Sequence, residues 1–142
     1  MQIKDIMSKN VEVVPPDTFL NEIARRMYQR DCGCMLVAKD DRLLGVITDR
    51  DLVIRGMSEG HNPLSTKAKD LMSKKVLYCR DTDETVDVSL NMAKNKIRRL
   101  PVLDENKRLV GIVSLGDLAA NLEDHNICGK ALGHICAAPP NR

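Results

Sequence analysis

Two stretches of the chain carry the residue types best suited to holding a small polar ligand: Thr48-Asp49-Arg50-Asp51 and Ser114-Leu115-Gly116-Asp117. Each sets a hydroxyl three residues ahead of a carboxylate, where a short apolar run gives way to a helical period. Two roles fit. In a capping box the hydroxyl accepts from a first-turn backbone amide and the acid reaches back to the amide of the hydroxyl residue, which contributes on the order of 1 kcal/mol. In a binding site, amides at the helix start attract phosphate, the hydroxyl donates a hydrogen bond, and the carboxylate takes both hydroxyls of a ribose. A third stretch, Ile97-Arg98-Arg99-Leu100-Pro101, sets a basic pair after a helical segment. Such a pair is either solvated and close to the last helix carbonyls, or available to phosphate, which the planar arginine fork grips through two oxygens.

Other chemistries find less support. The chain has neither a P-loop nor a nucleophile with an adjacent base, so no catalytic residue is assigned and an enzyme is not expected. Its cysteines, Cys32, Cys34, Cys79, Cys128 and Cys136, are odd in number and irregularly spaced. That is not a disulfide framework, and free thiols are expected in a reducing compartment. Cys32-Gly33-Cys34 and the tail residues His125, Cys128, His134 and Cys136 raise a metal or redox-responsive reading. No C-x-x-C pair supports it, and no metal ligand is assigned. His61 has no partner nearby in sequence.

These residues are positioned by a chain that is written twice. Lys4-Asp5-Ile6-Met7-Ser8 returns as Lys69-Asp70-Leu71-Met72-Ser73, and the run from Gly45 to Leu52 returns from Gly111 to Leu118, at offsets of 65 and 66 residues. Gly33 stands where the second copy has Arg98, so the two copies are unlike at this position. Alternation at Val11 and Val13, and at Val76 and Tyr78, predicts a short strand in each copy. Leu20, Ile23, Ala24 and Met27 mark an amphipathic helix, with Val86, Leu90, Ala93 and Ile97 serving in the second copy. Two strands follow in each, Met35 to Ala38 with Leu43 to Ile47, and Leu100 to Leu103 with Leu109 to Val113. Leu52, Val53, Gly56 and Met57, and likewise Leu115, Leu118, Ala119 and Leu122, mark a second helix.

The unit is thus β-α-β-β-α. The copies run over residues 1–60 and 69–122, joined by a linker at 61–68 and followed by a C-terminal helix and tail at 123–142. That helix is expected over 126–136, with Ile127, Ala131, Leu132 and Ile135 covering an apolar surface. A unit of ~60 residues buries only about 60% of the surface of its unfolded chain, so the copies are expected to pack sheet against sheet.

A length of 142 residues with 43% hydrophobic and 30% charged residues suits one compact domain or two small subdomains. No apolar run is long enough to span a membrane, and none of signal-peptide length opens the chain, so a cytoplasmic location is expected. A net charge of +2 gives no field to gather nucleic acid, and Phe19, Tyr28 and Tyr78 are too few aromatics for a single-strand platform.

The D-[IL]-M-S opening, the Arg-Leu-Pro-Val strand at Arg99 to Val102 and the closing G-h-h-[TS]-x-x-D-L, where h is any apolar residue, resemble the CBS motif. The likeness covers roughly residues 3–122, and the tandem occurrence resembles stand-alone bacterial CBS-pair proteins, or Bateman modules. The resemblance implies an α/β (α+β) fold of two β-α-β-β-α motifs packed sheet to sheet with pseudo-twofold symmetry. It implies a regulatory, ligand-sensing module whose inter-motif clefts take AMP, ADP, ATP or another adenosyl compound, with no required cofactor. It carries nucleotide binding to Thr48, Asp51, Arg98, Arg99, Ser114 and Asp117, with Arg98 on phosphate. A homodimer is expected, signalling through dimer or partner contacts. A protein-interaction scaffold with vestigial clefts is the alternative.

Overall fold

A computed structural model describes residues 1–137. The tail expected at 138–142 lies outside the described residues. The fold is mixed α/β with two three-stranded sheets. Two compact units form: a contiguous one, Glu12–Val76, and a split one that joins Met1–Val11 to the chain from Leu77 onward.

In the contiguous unit β1 (Val13–Val14) runs parallel to β2 (Cys34–Lys39), which pairs antiparallel with β3 (Arg42–Thr48). Helix α1 (Leu20–Arg30) crosses from β1 to β2 and buries Leu20, Ile23 and Met27. It ends at Asp31, held in the left-handed region with φ 50°. After β3 a single helical turn, α2 (Asp49–Asp51), runs on as a π-helix over Leu52–Met57. The segment expected as a linker is docked rather than loose: Thr66 is buried, and the Ala68 amide donates to Thr18 O at 2.8 Å. Lys67 and Lys69 reach Asp17 at 3.5 and 3.0 Å, and the Lys69 ammonium holds the Asp17 carboxyl below its usual range. Short helix α3 (Ala68–Leu71) then adds Ala68 and Leu71 to the core around Val14, Ile23, Val37 and Ile47.

The split unit repeats this order. β4 (Cys79–Arg80) is parallel to β5 (Arg99–Leu103), β5 is antiparallel to β6 (Leu109–Ser114), and α4 (Thr85–Asn95) and α5 (Leu115–Asn121) follow their strands. Even the irregularities repeat. The register slips between Val37 and Ala38 and again between Val102 and Leu103, and α4 also ends in a left-handed residue, Lys96. A final helix, α6 (His125–Cys136), packs against α4 and α5 and buries Cys128, Ala131 and Ile135. Leu132, expected on that buried face, is 45% exposed.

The repeat is sewn across itself. Ser73, from the opening of the second copy, exchanges both backbone hydrogen bonds with Val46, at 3.0 and 2.9 Å. Ser8, from the opening of the first, does the same with Ile112, at 2.9 Å each way. Each copy's D-[IL]-M-S segment therefore edges the sheet that the other copy builds. Gly45 and Gly111 permit this: a β-carbon there would stand 2.6 Å from the sulfur of Met72 or Met7, and 2.8 or 2.9 Å from the carbonyl oxygen of Ser73 or Ser8.

Three expectations are corrected. The first strand of each copy begins at Val13 and at Cys79, and the inward residues are Val14 and Cys79 rather than Val11, Val13, Val76 and Tyr78. A two-residue strand is too short for a period of two to fix which face turns inward, and Pro15 cannot extend the ladder. Helix α4 buries Thr85, Val88, Ser89 and Met92, whereas Val86 and Leu90 are 44% and 61% exposed. This buried stripe lies 65 residues after Leu20, Ile23, Ala24 and Met27; polar Thr85 and Ser89 disguise it. Finally Ala24, Val53 and Met57 are exposed, not core.

Burial sets one pH dependence. Cys79 is buried among Ile3, Leu100 and Val102, and burial pushes its thiol from 9.0 up to about 12, with the Asp83 charge adding to the effect. Unfolding lets that thiol ionise, so its contribution is complete below about pH 9 and falls by up to ~1.4 kcal/mol per pH unit above it. Urea unfolding at about pH 8 and about pH 10 is expected to show a smaller loss for Cys79→Ala than for the unaltered chain; an equal loss would refute this.

Candidate functional site

The six residues expected to hold a ligand fall into two groups, one in each unit. In the split unit, α4 ends at Asn95, the chain turns through Lys96, and Ile97 donates back to Met92 O at 3.0 Å. Arg98 follows, its carbonyl accepting the Leu115 amide at 2.8 Å, and Arg99 opens β5 opposite Ser114. That pairing brings Arg98, Arg99, Ser114 and Asp117 to one strand–helix corner. Both guanidinium groups are exposed and have no hydrogen-bond or ion-pair partner among the described residues.

The half-buried pair Ser114 and Asp117 forms the capping box reciprocally. The Asp117 amide donates to Ser114 Oγ at 3.1 Å, and Asp117 Oδ2 accepts from the Ser114 amide at 2.7 Å and its hydroxyl at 2.8 Å. All of this falls on one carboxylate oxygen. Oδ1 of Asp117 keeps its acceptor capacity, so the cap and a ligand contact are compatible in one side chain.

The contiguous unit builds the same corner with different charges. Thr48 pairs with Cys34 across the sheet; its amide donates to Asp51 Oδ2 at 2.9 Å, and its Oγ1 accepts from the Asp51 amide at 3.1 Å. Here the second carboxylate oxygen is engaged, because Arg55 Nε lies 3.5 Å from Asp51 Oδ1. That contact is an ion pair without hydrogen-bond geometry, since Nε finds no hydrogen-bond partner. The Arg55 guanidinium also donates to the Leu71 carbonyl. The Asp49 amide donates to Gly33 O at 2.9 Å, the counterpart of the Leu115–Arg98 bond. A β-carbon on Gly33 would sit 2.8 Å from the Asp49 carboxylate, so a carboxylate lies where the other corner presents Arg98.

Sequence reasoning did not single out Arg55 or Asp49. Arg55 had a readable signal, since it follows Asp51 by four residues, the spacing of a helical ion pair. Among the described residues no group of three or more His, Cys, Asp or Glu side chains could hold a metal ion, and Cys32, Cys34, Cys79, Cys128 and Cys136 form no disulfide. No helix of the described residues is long and apolar enough to cross a membrane.

Comparison with known proteins agrees with this architecture. The CBS domain family matches residues 3–57 and again 68–124. The chain is 37% identical over 133 residues to the CBS domain-containing protein YhcV of Bacillus subtilis, covering 94% of each. It is also 37% identical over 126 residues to Hypoxic response protein 1 of Mycobacterium tuberculosis, covering 87% of each. The solved structure of Hypoxic Response Protein I, which has two coordinated zinc ions, superposes with a TM-score of 0.78 at 34% identity, over 86% of this chain and 99% of that one. The structure of CBSX2 in complex with AMP gives 0.72 at 27% identity, over 84% and 93%. With both copies matched along most of the chain, the protein belongs to the CBS domain family, as a tandem pair of its motifs.

Proposed function

We propose that this CBS pair is a regulatory module rather than an enzyme, and that it binds an adenine nucleotide at the split unit's corner. Arg98 faces the phosphates, Arg99 supports them, and Ser114 and Asp117 take the ribose. The observation that carries the reading is the pair of exposed guanidinium groups with no protein partner, next to a carboxylate that keeps one oxygen free. AMP in the related CBSX2 supports the ligand class. Thr48 and Asp51 form the corresponding contacts of the second corner, where Asp49 and the Arg55-bound Asp51 suit a less charged adenosyl ligand. Occupancy alters the pairing of the chain with a second copy or its docking on a partner, in the cytoplasm, where adenine nucleotides are available. No cofactor or metal enters this reading.

Calorimetric titration with ATP, AMP and adenosine tests it. Arg98→Ala is expected to weaken ATP and AMP by roughly tenfold to a hundredfold and adenosine little, with the ATP loss shrinking as salt is added. Asp117→Asn is expected to weaken all three alike, since each presents the same ribose hydroxyls. The satisfied capping boxes favour the scaffold alternative. Unchanged affinity in both variants with the fold intact, or no binding by the unaltered chain, would establish that alternative.

A further inference from the structure

The repeat supplies its own comparison four residues after each capping carboxylate. In the split unit that residue is Asn121, whose side-chain amide donates to the backbone carbonyl of Asp117 at 2.8 Å and not to its carboxylate. In the contiguous unit it is Arg55, with Nε 3.5 Å from Asp51 Oδ1 and the guanidinium donating to the Leu71 carbonyl. Nε itself is buried and has no hydrogen-bond partner. The bond to Leu71, at the end of α3, holds the group with its charge toward Asp51 even though Nε goes unpaired, so the placement is imposed by the fold rather than by the ion pair alone. The helices differ too. α5 is a regular α-helix, whereas Arg55 lies in the π-helix over Leu52–Met57, a form that recurs in short pieces at functional sites.

We propose that Arg55 is a specificity-determining residue: it competes with a ligand for the Asp51 carboxylate and so sets the contiguous corner to fill at higher ligand concentration than the split one. The proposal rests on the reading that these carboxylates take a ribose. A ribose hydroxyl bonds most strongly to a carboxylate whose charge is uncompensated. Asp117 meets that condition, having no ion-pair partner among the described residues. Asp51 does not, since its Oδ2 accepts from the Thr48 amide and its Oδ1 faces a cation. The Asp51 and Arg55 side chains are 22% and 39% exposed. They are too buried for salt and water to screen the pair fully, and too open for it to change affinity by more than about tenfold. The two capping boxes are otherwise alike. Asp49 and Arg98 thus distinguish the phosphate ends of the two corners, and Arg55 distinguishes their ribose ends.

Titration of the isotope-labelled full chain with adenosine, followed through amide resonances, tests this. Adenosine carries the ribose without phosphate, and the amides of Thr48 and Asp51 report one corner while those of Ser114 and Asp117 report the other. In the unaltered chain the split corner is expected to respond at the lower adenosine concentration. Arg55→Gln is expected to tighten the contiguous corner about fivefold to tenfold and to leave the split corner within about twofold. Arg55→Lys keeps the positive charge and is expected to stay nearer the unaltered chain than Arg55→Gln does, which separates charge from packing. The dispersion of the same spectra verifies that each variant is folded. A contiguous corner that binds adenosine equally or more weakly in Arg55→Gln, with the split corner binding as before, overturns this role of Arg55 and leaves the nucleotide reading standing. Adenosine that moves neither corner in any of the three proteins overturns both.

Discussion

Met92→Ala is expected to lower stability by about 2–5 kcal/mol, while Leu90→Ala, two residues away on the same helix, is expected to cost less than about 1 kcal/mol. Met92 is 0% exposed and packs within the core that includes Val88, Leu100 and Leu118; Leu90 is 61% exposed. Truncating Met92 removes most of a side chain from water-free surroundings and leaves a cavity that Val113 and Leu100, themselves fully buried, cannot collapse into without losing their own contacts. Urea denaturation of the two variants, compared at unchanged m-value, reads the difference directly. Equal losses would mean that α4 is turned the other way, with Val86 and Leu90 inward.

Gly111→Val and Gly45→Val are each expected to cost about 2–4 kcal/mol, from overpacking and broken backbone hydrogen bonds together. The neighbouring methionine sulfur, 2.6 Å from the position of the new β-carbon, can swing aside; the Ser8 or Ser73 carbonyl oxygen, at 2.9 or 2.8 Å, cannot, because it is held by the bridge to Ile112 or Val46. Relief therefore requires lifting the D-[IL]-M-S segment off the sheet. Chemical denaturation combined with amide exchange tests this: the Ser8 and Ile112 amides should lose protection in Gly111→Val, and the Ser73 and Val46 amides in Gly45→Val. Full stability with those amides still protected would contradict the close approach.

Much of this architecture was legible because the repeat gives each reading a second trial. The central strands, the helices after them and the hydroxyl–carboxylate corners follow from apolar runs long enough to define a period, and each has a counterpart at an offset of 65 or 66 residues. The errors came where the signal was short or chemically disguised. Thr85 and Ser89 sit in the core with polar side chains; Ser89 satisfies its hydroxyl by donating to Val86 O at 2.7 Å, an internal bond that no periodicity announces. Val86 and Leu90 read as core because α6 lies against that side of α4, so the helix carries apolar residues on two faces. At the corners, composition revealed Arg98 and its absence from the other copy. It could not reveal that Asp49 lies over Gly33, or that Arg55 occupies Asp51, because both depend on the turn that joins β3 to α2.

The crossed openings also set an order of assembly. The strands β1 to β3 and the core around Val14, Ile23, Val37 and Ile47 come from residues between 12 and 76, so that unit's own chain is in hand once Val76 has been synthesised. Residues 1–11 are synthesised before that unit yet bind Asp81, Asp83 and Ile112, which arrive after it. Until then Ile3, which ends fully buried, has no core to enter. The segment that opens the first copy is therefore the last piece of the split unit's sheet edge to be set in place, a long-range closure that slows that unit relative to its contiguous twin.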